Sequence, residues 1–234
     1  MNSFFNKKAS FKGALSCLIK ILSLLLLFCA SLLLIGCKEE IRYADYVSEL
    51  RSNIFLAETE NFSLRVYSTI KESPYIADGI PRETNQRTEF YLLAPEGDKQ
   101  SQLTFSIDGK EYGGEMSFDN VKAEYYLFCP LDTSKFSEIS VCIQYGEERI
   151  ELQAKSVLNA DTLPPFTVLS RLQTEEKTLF SALTDKYGFA GEIYIRLLYE
   201  DAPYYYVGVI DRSGNVTAFL INATNGKILA KRQS

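Results

Sequence analysis

Most side-chain chemistry near neutral pH relies on histidine, and this sequence contains none. Its absence removes Ser-His-Asp and Cys-His nucleophilic catalysis and every His-liganded metal site. Carboxylates, tyrosines and thiols must carry whatever chemistry there is. Asp132-Thr133-Ser134 offers one carboxylate, but acid catalysis by a shared proton needs two, and no second such triplet occurs. A turn after Pro130 is the favoured reading. Glu192 and Arg196 stand four apart on one strand face, where they could pair or hold a ligand; surface pairing is the commoner outcome. Tyr204-Tyr205-Tyr206 could form a stacking platform. In a strand the middle ring faces opposite to its neighbours, so at least one ring belongs to a core. Glu58 and Glu60 could contribute to a cation site, though no calcium-loop spacing surrounds them. No catalytic residue, metal ligand or cofactor is assigned.

The N-terminus says more about where the chain works. Lys7, Lys8, Lys12 and Lys20 precede a mostly apolar run of about 15 residues from Ile21 to Ile35, and no acid occurs before Glu39. A spanning helix needs about 20 apolar residues, so the run suits the core of a secretory signal. It ends in Leu34-Ile35-Gly36-Cys37, which resembles the lipobox of bacterial lipoproteins. The resemblance implies cleavage between Gly36 and Cys37, with Cys37 acylated as the first residue of the mature chain. Each buried methylene contributes about 0.8 kcal/mol, and two acyl chains hold a protein stably on a membrane. The expected location is the extracytoplasmic side of a cell membrane, reached through this lipid anchor. Cys17 and Cys29 leave with the signal, so Cys129 and Cys142 remain as thiols. Two thiols in an exported domain could form one disulfide, or could be two small buried hydrophobes.

Removal of 36 residues leaves 198, with 21 basic residues against 30 acidic ones and a net charge of −9. An acidic surface without a basic patch argues against nucleic acid and against electrostatic docking on anionic lipid. With no Trp in the chain, carbohydrate stacking would fall to Tyr or Phe.

The mature chain reads as a succession of short elements. Lys38–Arg42 is a polar tether. Tyr43, Tyr46, Val47, Leu50, Ile54 and Phe55 recur at spacings of three and four, which predicts an amphipathic helix over Tyr43–Glu58. From Phe62 the period becomes two. Strands are expected from there and at Thr88–Ala94, Gln102–Ile107, Lys110–Tyr112, Glu115–Phe118, Ala123–Cys129, Glu138–Tyr145 and Arg149–Ala154. Asp108-Gly109 is a strong hairpin signal. These strands predict an antiparallel sandwich whose architecture resembles immunoglobulin-like domains. Leu163-Pro164-Pro165 reads as a stiff boundary. Thr174 then fits the N-cap of a helix ending near Tyr187 and Gly188. Strands follow at Glu192–Tyr199, Tyr204–Asp211, Asn215–Ile221 and Lys227–Ala230.

The stretch Tyr205–Val216 followed by Phe219–Leu229, with Gly turns and Asn222-Ala223-Thr224-Asn225-Gly226-Lys227 before the last strand, resembles the second half of a PepSY repeat. Asn222 stands where that family has Asp, and Asn225 where it has Thr. The resemblance covers residues 166–234 and implies an extracytoplasmic module with a peptide or peptidase partner. The expected fold is α+β: a β-sandwich, then a small PepSY-like domain of one helix on an antiparallel sheet. The expected segments are a signal at 1–36, tether and helix at 37–60, sandwich at 61–158, linker at 159–165 and PepSY-like domain at 166–234. The expected function is a lipid-anchored, non-enzymatic binding or regulatory module for a protein or peptide. The alternatives are a carboxylate-dependent hydrolase of the cell envelope and a structural envelope spacer.

Overall fold

The computed structural model describes residues 41–97 and 99–234. Gly36 and Cys37, and with them the expected cleavage and lipidation, lie outside the described residues. Arg42–Ser234 is one compact unit. After a 3-10 turn at Tyr43–Tyr46 come nine strands: β1 Val47–Glu58, β2 Ser63–Glu72, β3 Thr84–Leu93, β4 Ser101–Ile107, β5 Lys110–Glu115, β6 Ser117–Asp119, β7 Glu124–Cys129, β8 Glu138–Tyr145 and β9 Glu148–Ser156. Helices α1 Pro165–Glu175 and α2 Lys177–Ala182 precede a small hairpin, β10 Thr184–Asp185 with β11 Gly188–Phe189. The meander β12 Gly191–Tyr199, β13 Pro203–Asp211, β14 Val216–Asn222 and β15 Ile228–Gln233 completes the chain.

β1 organises this arrangement. One edge pairs with β2 along its length. The other edge is divided: Val47–Arg51 pairs in parallel with Ile193–Arg196 of β12, and Phe55 and Leu56 pair antiparallel with Ser156 and Lys155 of β9. One wall of the barrel is therefore β6-β7-β3-β2-β1 and the other is β5-β4-β8-β9. The walls meet at β1–β9, and again where β5 runs into β6 through the buried Met116. Phe55, Leu64, Val66, Phe90, Leu92, Leu103, Ile143 and Ala154 fill the space between them, with no surface exposed. Beyond β1 the same sheet continues through β12 to β15.

The expected α+β fold is overturned. Among the described residues 55 % are strand and 11 % helix, in a mostly antiparallel, nearly closed barrel-like sheet. It is neither an immunoglobulin-like sandwich nor a sandwich followed by a PepSY-like helix-and-sheet domain. The cause is β1. The stretch Val47–Glu58, expected to be helical, is a central strand covered on both faces, so its buried residues do not alternate. Register shifts at Val47/Glu49 and Arg51/Asn53 add to this. Each inserts a residue and stretches the inward spacing from two to three, which imitates a helical period. By joining β2 to β12, β1 carries one sheet across the expected boundary at 159–165. That boundary is itself held down: Leu163 N–H donates to Ala223 O at 2.8 Å and Tyr205 Oη donates to Leu163 O at 2.9 Å.

The helices also differ from expectation. Pro165 occupies the first turn of α1, where its missing N–H and fixed φ do no harm. Thr174 lies in the last turn and its hydroxyl donates to Ser170 O, so it is not an N-cap. Val168, Leu169, Leu172 and Phe180 are buried from the helices, as are Ile193, Ile195, Leu197, Val207, Val209, Phe219 and Ile221 from the sheet.

Candidate functional site

Two polar groupings stand out on the side of the sheet away from the core. The first spans β1, β2, β3 and β7. On β2, Leu64 and Val66 turn inward, which leaves Arg65 and Tyr67 outward. Strand register then sets Arg65 opposite Tyr91, Tyr67 opposite Glu89, and Tyr91 opposite Tyr126. The rings touch in series: Tyr67 to Tyr91 at 5.5 Å, Tyr91 to Phe128 at 6.2 Å, and Phe128 to Tyr126 at 5.3 Å. The Arg51 guanidinium lies 4.1 Å over the Tyr67 ring, which stabilises the charge at a partly desolvated site. Arg65 Nη2 pairs with Glu124 Oε2 at 2.7 Å, and Tyr91 Oη donates to Glu89 Oε2 at 3.3 Å. Burial, then the Glu89 charge, pushes the Tyr91 hydroxyl well above its usual pKa. Among the described residues, the buried Nε atoms of Arg51 and Arg65 find no hydrogen-bond partner. Phe128 is 46 % exposed.

The second grouping lies where β1, β2 and β12 meet the loop between β2 and β3. Glu49 and Arg196 form a two-pronged pair, Nε to Oε1 at 2.9 Å and Nη2 to Oε2 at 2.6 Å. Burial opposes the Arg196 charge, but the bond and charge of Glu49 outweigh it and raise the guanidinium pKa. Glu192 is fully buried, and Tyr75 Oη reaches its Oε1 at 3.5 Å. Glu72, 1 % exposed, accepts from Arg82 N at 2.5 Å. Among the described residues, one oxygen of each carboxylate, Oε2, has no hydrogen-bond partner. Burial first, then the charges of Glu72 and Asp78, raises the Glu192 pKa to about 7; the Tyr75 bond and Arg82 oppose this. Tyr75 rises to about 12 through burial and the charges of Glu192 and Glu49. The loop is pinned at Gly79, which has φ +76°. A Cβ there would stand 2.3 Å from Asp211 O, so only glycine fits.

Comparison with family models, with curated proteins and with solved structures gives no match for this chain. The chemistry therefore has to be read from these groups alone. Among the described residues, no set of three or more His, Cys, Asp or Glu side chains is placed to hold a metal ion. Among the same residues, no helix is long and apolar enough to cross a membrane. Glu192, its pKa raised to about 7 by burial and then by the Glu72 and Asp78 charges, can hold or release a proton near neutrality. The tyrosine–arginine face can bury aromatic area and donate hydrogen bonds to a partner.

The residues singled out in the sequence are scattered. Cys129 and Cys142 are both free thiols, which corrects the candidate disulfide. β7 pairs with β3 and β6, whereas β8 pairs with β4 and β9. Cys129 points into the core, where burial raises its pKa. Cys142 sits between the inward Val141 and Ile143, on the opposite side of its wall. Asp132-Thr133-Ser134 is a turn: Asp132 Oδ1 accepts from Ser134 N at 2.8 Å, and the Thr133 and Thr88 hydroxyls meet at 3.1 Å. Tyr205 is buried, while Tyr206 faces out against Tyr194 at 5.7 Å. Glu58 and Glu60 are exposed in the β1–β2 hairpin. Arg196 bonds Glu49, and Glu192 bonds Tyr75. Sequence reading missed Glu49, Glu72 and Tyr75, which come together only through strand pairing. The one available signal was the long loop holding Tyr75.

Proposed function

We propose that this chain is a lipid-anchored, non-enzymatic binding module displayed outside a cell membrane, and that it takes a protein or peptide partner. Leu34–Cys37 supports the anchor. The observation that carries the binding reading is the outward face bearing Arg51, Tyr67, Tyr91, Phe128 and Tyr126 in continuous contact. Aromatic residues and Arg are the types enriched where proteins bury surface against one another. The test is cross-linked capture from the native envelope with the wild-type chain and with Tyr67→Ala/Tyr91→Ala. A partner held by the first and lost by the second supports the reading; equal capture by both refutes it.

A carboxylate-dependent hydrolase is the second reading, favoured by the Glu192 pKa near 7 beside Glu72. Buried acids tuned in this way often act as proton donors. Turnover of envelope peptide or glycan fragments that disappears in Glu192→Gln would establish it.

A further inference from the structure

The barrel-like sheet does not close, and the unclosed seam has a defined shape. β5 hydrogen-bonds to β4 through Gln102–Glu115 to Ile107–Lys110, and among the described residues no strand pairs with its other edge. β7 pairs with β3 along one edge, from Tyr125 to Cys129. Along its other edge it pairs with β6 only over Glu124–Tyr126, so among the described residues no strand pairs with Leu127–Cys129 there. β5 and β6 are one strand bent at Met116, whose N–H is held by Ser101 O at 2.8 Å. At the bend the chain changes partner, β5 pairing with β4 and β6 with β7. A groove of about 660 Å³ lies against β4, β5 and the end of β7, lined by Thr104, Glu111, Tyr112, Gly113, Leu127 and Phe128 among others.

We propose that this seam takes an extended segment of another polypeptide as an added strand between β5 and β7. The inference rests on the binding-module reading and supplies the partner's conformation and side-chain pattern. Unpaired strand edges present main-chain donors and acceptors that another main chain can meet. Gly113 and Gly114 remove side-chain bulk from the β5 edge. Gly113 is required by its paired neighbour β4: its φ is +143°, and a Cβ would stand 2.0 Å from Leu103 O. At about 3.3 Å per residue, the free edges suit a guest of about four residues. Alternate guest side chains would face inward to Tyr112 and Leu127, and outward. Exposed Glu111 and Glu115 flank the outer side of β5, so the outward guest residues are basic and the inward ones apolar. Phe128 belongs to both the seam and the aromatic face, so a partner entering here continues onto Tyr91 and Tyr126.

The test uses the mature full chain and a panel of capped peptides alternating Val, Leu or Phe with Lys. Each peptide is paired with an analogue N-methylated at alternate residues, and amide exchange is followed along the protein. The expected result is protection of Glu111–Gly114 and Leu127–Cys129, at least tenfold weaker binding of the N-methylated analogues, and severalfold weaker binding to Glu111→Lys. Failure of the whole panel to bind overturns the seam. Binding that protects only Tyr67 and Tyr91 also overturns it, but leaves the binding-module reading standing. Protection of the seam that instead rises with protein concentration, without peptide, overturns the proposed partner in favour of a second copy of this chain.

Discussion

Glu49 and Arg196, 147 positions apart, lock the first strand to the twelfth through bonds of 2.9 and 2.6 Å. Glu49 is 3 % exposed, so removing Arg196 leaves an uncompensated buried carboxylate. Arg196→Met should destabilise the chain by about 3 kcal/mol, measured by urea unfolding. The double variant Glu49→Gln/Arg196→Met should lose clearly less than the two single losses combined, because it leaves no orphaned charge.

Glu192 gives stability a pH dependence of known sign. Its pKa is raised from 4.5 to about 7 in the folded chain, so the native state binds the extra proton. This contribution is fully present below the unfolded pKa and is lost as pH rises through about 7. The urea midpoint should fall between pH 5 and pH 8.5 by the equivalent of about 1–3 kcal/mol. Glu192→Gln, which cannot ionise, should flatten this fall and be the more stable protein at pH 8.5.

Gly79 holds the loop that carries Tyr75. Gly79→Ala meets both an unfavourable positive φ and the Asp211 carbonyl, and should cost about 1–3 kcal/mol. Amide exchange should accelerate within 73–83 before it does in the barrel strands. Uniform acceleration would place the damage elsewhere.

The two thiols should differ in reactivity. Cys142 is half-buried and Cys129 buried with a raised pKa, and the thiolate is the reactive form. A maleimide should label Cys142 first in the native protein. Reductant should leave the unfolding midpoint unchanged, since no bridge joins the pair.

Lipidation is expected at Cys37. Cys37→Ser should abolish incorporation of an acyl label and release the protein from the membrane fraction. Label retained by the variant would sink the anchor.

Local chemistry was legible in the sequence wherever a few adjacent residues decide the outcome. Asp108-Gly109 forms the β4–β5 turn with both φ values positive, at 50° and 74°, because this dipeptide tolerates a left-handed backbone. Alternation along Phe62–Tyr67 announced β2, because its core side is apolar and its outer side polar. β1 was not legible. Burial on both faces and two register shifts erased its period of two and left a spacing that local pattern cannot tell from a helix. The overturned α+β expectation followed from that strand, since the pairing of Val47–Arg51 with Ile193–Arg196 joins the two halves in one sheet. The candidate sites share this origin. Glu49, Glu72 and Glu192 carry no mutual spacing in the chain, and the unpaired edge of β5 follows from the change of partner at Met116, from β4 to β7. Residue types determined what chemistry is available here; strand pairing over long sequence separations decided which groups lose water together, and so which of them act.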